Sequence, residues 1–209
     1  FLLVNEESFF DPFLFRDMEQ AVRRIKTAAV NGEHVLVFGD YDVDGITSLT
    51  LLKSTLRKMG IHVDHYIPHR VKEGYGLSDS IVALAKEKGA TLLITADCGT
   101  SSYEEVRALQ DEGIDVIITD HHEPSRETLP PALCVINPKV KHSGYPFREL
   151  AGVGVVFKLC QALTGNRCLD DLDVVAVGTI ADVVPLISEN RVIAQLGLEK
   201  LRSTNRPGL

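Results

Sequence analysis

The chain contains no tryptophan and only two methionines in 209 residues. Its four cysteines, Cys98, Cys134, Cys160 and Cys168, form no C-x-x-C pair. That spacing fits a reduced, cytoplasmic protein better than a disulfide scaffold or a structural zinc site. No apolar run reaches membrane-spanning length, so no membrane role is expected. The opening "FLLVNEESFFDPFLF" lacks the basic flank and small-residue cleavage site of a signal peptide. Because it starts at Phe1 rather than Met, the expectation is a fragment or a processed chain. Cations are also in deficit, and the net charge of −7 argues at first against nucleic acid as a partner. The objection weakens if several acids are neutralised by bound cations.

What is present is an ordinary globular composition, 44% hydrophobic and 24% charged, able to bury a sizeable core. There is no internal repeat and no low-complexity segment. Apolar runs and helical patterns alternate. "DMEQAVRRIKTAA" predicts a helix capped by Asp17, with Gln20 three residues on, and ended by Asn31-Gly32. "HVLVFG" (34–39) predicts a buried strand, and "ITSLTLLKSTLRKMG" a helix stopped by Gly60. Further strands are expected at 62–68, 91–96, 114–119 and 132–137. Helices are expected over 78–89, with Ser78 as cap and Gly89 as stop, and over 101–113, with Ser101 and Glu104 at capping-box spacing. After a loop at 138–147 the remainder reads as helical, at about 151–163, 171–183 and 189–203.

Strands separated by such helices imply an α/β fold: a mainly parallel, doubly wound five-stranded sheet followed by a helical C-terminal stretch. In sheets of this kind ligands gather beyond the carboxyl ends of the strands. The residues falling there are Asp40, Asp42 and Asp44, His69 and Arg70, Asp97, and Asp120, His121 and His122.

The stretch "GDYDVDGIT" allows three chemistries. It matches the start of an EF-hand loop, but a strand precedes it and Leu51 stands where a bidentate Glu is needed. It also matches the D-x-D of a haloacid-dehalogenase-type phosphotransferase, which leaves the third Asp and the paired histidines of "TDHHEP" without a task. The third is a two-metal hydrolase. Bare carboxylates about 4 Å apart repel by roughly 4 kcal/mol per pair at an effective dielectric near 20, and divalent cations invert that cost. Carboxylate mixed with imidazole leans toward Mn²⁺ or a similar ion, and a metal pair suits phosphoryl displacement. Only this reading employs every rim residue.

These segments resemble the DHH phosphoesterase family. "TDHHEP" (119–124) carries the tripeptide Asp120-His121-His122 of that name, and "GDYDVDGIT" (39–47), "ITADCGT" (94–100) and "GTIADVVPL" (178–186) follow the family's order. "PHRVKEGYGLS" (68–78) and "LAGVGVVFKL" (150–159) are similar to its RecJ branch, bacterial exonucleases that degrade single-stranded DNA from the 5′ end. The likeness runs from about residue 10 to the chain's end. It implies that Asp42 and Asp44 ligate two Mn²⁺ or Mg²⁺ ions, with Asp40 a ligand or a close neighbour of one, and that Asp97 bridges them. His121 would be a ligand, His122 would contact the phosphate, and Asp182 would complete one metal's shell. Some relatives outside this branch have a His ligand where this chain has Phe38. His69, Arg70 and Tyr75 would lie beside the substrate, with Lys72 tracking the backbone. The implied reaction is hydrolysis of single-stranded DNA by metal-activated water, releasing 5′-mononucleotides. The alternatives are a relative that cleaves short oligonucleotides, cyclic dinucleotides or pyrophosphate, and a non-catalytic module on the same fold, against which the intact Asp42, Asp44, Asp97, His121 and Asp182 argue. The implied setting is DNA repair and recombination, as a monomer working with repair proteins. The family's second catalytic-core domain is expected to be missing from this chain, leaving residues 1–209 as the DHH domain with weak activity at most.

Plainer roles compete for several of these residues. Asp97 could cap the following helix, and Asp120 is better suited to orienting a histidine than to binding metal. Apart from the resemblance, Asp182 reads as a helix-end residue. His62 and His65 read as structural, His34 and His142 as surface residues. Gly152 and Gly154 either let backbone approach a phosphate at a helix start or permit tight packing. Nothing beside Cys98 supports a reactive thiol.

Overall fold

Residues 5–78 and 80–209 are described in the computed structural model. The start of the opening stretch, 1–4, and Asp79 within the helix expected at 78–89 lie outside the described residues. Five apolar runs become strands: β1 (His34–Gly39), β2 (His62–Tyr66), β3 (Leu92–Ala96), β4 (Asp115–Thr119) and β5 (Cys134–Ile136). They form one sheet in the order β2-β1-β3-β4-β5, every pairing parallel. The helices are α1 (Met18–Asn31), α2 (Val43–Lys58), α3 (Ile81–Glu87), α4 (Tyr103–Asp111), α5 (Gly152–Thr164), α6 (Leu172–Ala181) and α7 (Ser188–Leu201). Among the described residues no helix is long and apolar enough to cross a membrane.

The period-2 alternation of the strands divides the core between two faces. Val35, Val37, Ile94 and Ile117 pack with α1, α2, α5 and α6, whereas Leu36, Phe38, Leu93 and Ile118 pack with α3 and α4. Covering both faces explains why the central strands read as unbroken apolar runs. Phe38 is spent in this core, 5.8 Å from the ring of Tyr66, so that position carries packing and no ligand.

Several boundaries differ from the sequence expectation. α2 begins at Val43, not Ile46, because Asp42 caps it by accepting from the Gly45 N–H at 2.9 Å. Asp44 therefore stands in the first helical turn. Asp17 makes no cap bond; its carboxylate accepts from the Val135 N–H at 3.0 Å and fastens α1 to β5. Ser80 and Ser102, not Ser78 and Ser101, precede α3 and α4, and neither makes a side-chain cap bond. Strands β2 and β5 are shorter than expected, and the three C-terminal helices are displaced by only one or two residues at most ends.

Candidate metal centre

The chain leaves β1 for one flank of the sheet and returns with β3 on the other, so the topological switch point lies between them. Asp40 and Asp97 directly follow those two strands and are buried side by side there. The acids of the D-x-D-x-D run are separated by their backbone. Asp40 ends the strand, Asp42 caps α2, and Asp44 turns inward from the helix, only 1% exposed. Gly45 permits the tight return, since a Cβ there would lie 2.5 Å from the Asp40 carbonyl oxygen.

Asp44 is held from an unrelated part of the chain. The N–H groups of Gly152 and Val153, at the start of α5, donate to its Oδ2 and Oδ1 at 2.6 and 2.8 Å. A helix N-terminus thus faces a carboxylate, the favourable sense of the helix dipole. Asp97 does not cap α4, which starts only at Tyr103. It sits at φ 67°, a left-handed conformation uncommon for a non-glycine residue, and its Oδ1 is buried with no hydrogen-bond partner.

His121 Nε2 lies between three acids, 3.3 Å from Asp97 Oδ1, 3.6 Å from Asp182 Oδ2 and 3.8 Å from Asp44 Oδ2. Asp182 arrives from the end of α6, which approaches α2 so closely that a Cβ at Gly178 would strike the Thr47 hydroxyl. Asp120 gathers its neighbours. Its Oδ1 accepts from the N–H groups of His121 and His122 and lies 2.7 Å from His122 Nδ1, while Oδ2 accepts from the Thr100 N–H.

Charge follows from this burial. Burial, then the charges of Asp44 and Asp120, push the Asp97 carboxyl well above the usual range. Burial carries Asp44 up to about 6, against the pull of His121 and its two N–H donors. Burial raises Asp40 and Asp182 too. Asp120 goes the other way: burial would raise it, but hydrogen bonds from His122 and Thr100 prevail. The bond to Asp120 lifts His122 to about 9.

Among the described residues, three sets of side chains bring potential ligand atoms within 4.8 Å of one another: Asp97, His121 and His122; Asp44, His121 and Asp182; and Asp40, Asp42 and Asp97. Asp97 and His121 are each shared by two sets. The Oδ1 atoms of Asp40 and Asp97, buried and without a hydrogen bond, are oxygens a hard cation would satisfy. The donor set therefore fits divalent ions such as Mn²⁺ or Mg²⁺.

His69 and Arg70 are not drawn into this cluster. The Arg70 guanidinium lies over the Tyr41 ring at 5.2 Å, and His69 Nδ1 accepts from the Val71 N–H. Tyr75 does reach it, its hydroxyl 2.9 Å from His122 Nδ1. The two glycines left open by sequence part company. A Cβ at Gly152 would run into the Asp97 carboxylate, whereas one at Gly154 would meet only Leu150. Sequence reasoning missed Asn137, fully buried at the end of β5, whose Nδ2 donates to the His122 carbonyl and to the Thr100 hydroxyl. The available signal was a lone amide closing an apolar strand. The α5 amides carried no signal, because a backbone donor has no residue type.

Sheet and rim together define an α/β domain with a composite carboxylate–imidazole centre at its switch point. Residues 34–179 match the model of the DHH family, N-terminal domain. Over 209 residues the chain is 49% identical to the single-stranded-DNA-specific exonuclease RecJ of Bacillus subtilis, covering all of this chain and 26% of that protein. A crystal structure of exonuclease RecJ bound to manganese superimposes with a TM-score of 0.81 at 37% identity, covering 88% of this chain and 48% of that one. A Thermus thermophilus RecJ structure in complex with Mn²⁺ gives a TM-score of 0.78 at 33% identity, covering 91% and 28%. The chain belongs to the DHH family. It spans about a quarter of the length of the B. subtilis relative.

Proposed function

We propose that residues 1–209 form the metal-binding catalytic domain of a single-stranded-DNA-specific exonuclease that works from the 5′ end and releases 5′-mononucleotides. The observation that carries this reading is Asp97, which belongs to two of the three sets and whose Oδ1 is buried without a hydrogen bond. Similarity to the RecJ relatives supports the substrate class. Ions held there would activate water and neutralise charge on a phosphodiester. Asp40, Asp42, Asp44, Asp97, His121 and Asp182 are the proposed ligands.

The chain's other groups position the substrate. Asp120 fixes the ring of His122, which with Tyr75 faces the open side of the centre and is the proposed phosphate contact. The half-exposed Tyr75 ring offers a face for a base. Arg70 and His69 lie outside the cluster and suit a phosphate farther along the strand. Five of the chain's 29 acidic residues are proposed ligands, and divalent cations held there would offset part of the negative net charge, which weakens the objection to a nucleic-acid substrate.

The test uses the full-length protein that contains these residues and a 5′-labelled single strand, with and without Mn²⁺. Asp97→Ala and His121→Ala should each reduce mononucleotide release by more than the roughly 10–100-fold typical of groups that only support metal ligands. Undiminished turnover in chelator overturns the reading. Cleavage confined to dinucleotides, cyclic dinucleotides or pyrophosphate would assign the site to a small substrate instead. Residues 1–209 alone are proposed to bind metal but degrade strands weakly, because Asp42 and Tyr75 are exposed and His122 half-exposed, with nothing among the described residues to clamp a strand against them.

A further inference from the structure

Away from the metal centre, α2 carries a polar stripe at helical spacing: Thr50, Lys53, Ser54, Arg57 and Lys58. It faces His65 on β2, the edge strand of the sheet, across a groove of about 500 Å³. Alternation along β2 explains the meeting, since His65 shares with the buried Val63 the face that packs on α2. The Lys53 ammonium lies 2.7 Å from His65 Nδ1, so this cation is bonded to an imidazole and to no carboxylate. Asp64, the acid of β2, is turned to His34 at 3.4 Å. Among the described residues, Lys53, Arg57 and Lys58 have no ion-pair partner. Burial, then the charge of Arg57, makes Lys53 easier to deprotonate than usual.

Like charges at i,i+4 cost an isolated helix a few tenths of a kcal/mol, and here they occur in a chain whose net charge is −7. Arg57 and Lys58 also stand in the last turn of α2, where cations suit the helix dipole. That explains those two singly but not Lys53 above them. Lysines also guard edge strands against pairing, yet these project from a helix into a groove. The groove opens at Ile67, and the chain continues from there through Pro68 to His69 and Arg70 at the rim. Lys53 and Arg57 stand nine and thirteen residues along α2 from Asp44, roughly 14 and 20 Å at the helical rise.

We propose that the α2–β2 groove is a second nucleic-acid subsite, seating the phosphodiester backbone of a single strand whose end lies in the metal centre. Lys53 and Arg57 contact successive phosphates, the Ser54 hydroxyl adds a hydrogen bond, and Ile67 gives an apolar edge for a base. The Thr50 hydroxyl already donates to the Ile46 carbonyl at 2.7 Å and only borders the groove. The inference rests on the nuclease reading above, and its test keeps the two apart.

The full-length protein in chelator is titrated with a labelled oligothymidylate of about 20 nucleotides at several salt concentrations, and its cleavage of a dinucleotide with Mn²⁺ is measured separately. The double variant Lys53→Gln, Arg57→Gln should bind the long strand about 10-fold more weakly. Its salt slope should fall by about 1.4, two single-strand phosphate contacts at roughly 0.7 each. The dinucleotide spans only the centre, so its cleavage should be unchanged, which also certifies the variant's fold. If that cleavage falls as well, Lys53→Gln alone is read in the same way. Unchanged affinity and slope with intact dinucleotide cleavage overturn the subsite and leave the nuclease reading standing. A parent protein that cleaves nothing overturns the nuclease reading. A polyglutamate peptide binding more tightly than oligothymidylate, and released by the same substitutions, would assign the groove to an acidic protein and overturn the proposal.

Discussion

Asp44 and Asp97 are carboxylates that water would keep ionised and that burial works to keep protonated. An acid whose folded pKa is raised holds its proton in the native state at pH values where the unfolded chain has released it. Its contribution to stability therefore declines as pH rises through that interval. With Asp44 at about 6, the window for the metal-free protein opens near pH 4, the ordinary carboxylate value, and extends to about 6 and beyond. A divalent ion favours the ionised form and competes with the proton. The melting temperature in chelator should fall across that window, and saturating Mn²⁺ should raise it more at pH 7 than at pH 5. Equal metal-induced shifts at the two pH values would deny the carboxylates a role in binding. Asp120 shows the opposite arrangement in the same rim. It is as buried as Asp97 but saturated with donors, and it stays ionised to hold His122.

At the scale of elements, the centre depends on how α5 begins. Its first two N–H groups grip Asp44, and the missing side chain at Gly152 makes room for Asp97. Gly152→Ala should therefore weaken Mn²⁺ affinity by about 10-fold or more, as loss of groups that orient ligands does. Gly154→Ala, two residues on, places a Cβ 3.1 Å from a flexible part of Leu150. There the helix-propensity gain of up to about 1 kcal/mol competes with an overpacking cost of roughly 1–3 kcal/mol. That variant should change unfolding free energy modestly and leave metal affinity unchanged in calorimetric titration. Equal losses of affinity in the two variants would refute this division of roles. The helix starts also mark where sequence patterns misled. Ser and Asp at capping positions suggested caps at Asp17 and Ser101, but tertiary partners claimed the Asp17 carboxylate and α4 began one residue later.

Across the whole molecule, one buried ion pair secures the helical C-terminal stretch and the N-terminal segment to the core. Lys158 of α5 and Glu189 of α7 are 2.5 Å apart and both fully buried. Glu189 also accepts from the Tyr145 hydroxyl and the Phe10 N–H, and Lys158 donates to the Phe10 carbonyl. Removing one charge from such a pair strands the other, at about 3–5 kcal/mol. Glu189→Gln should lower the urea midpoint accordingly while leaving the Mn²⁺ affinity of the folded protein intact. A loss below about 1 kcal/mol would mean that water or another acid relieves Lys158. Neither residue stood out in the sequence, because a lysine in an apolar helix and a distant glutamate share no local pattern.

Much of the architecture was legible from local signals. Apolar runs of strand length, helical periodicity between them and glycine stops are imposed within a few residues, so sequence alone determined five strands, their α/β alternation and the rim on which chemistry would gather. It also marked acids and histidines of the three sets that could hold metal, Asp182 among them only through the family resemblance. Only the tertiary structure decided which of them meet. Asp182 joins His121 through the packing of α6 on α2, Asp44 is fixed by amides more than a hundred residues away, and Arg70 is placed on Tyr41 apart from the centre. The physical reason is range. Strand and helix preferences are written in neighbouring residues, whereas burial, desolvation and the donors that oppose them depend on elements that become neighbours only when the sheet is covered on both faces.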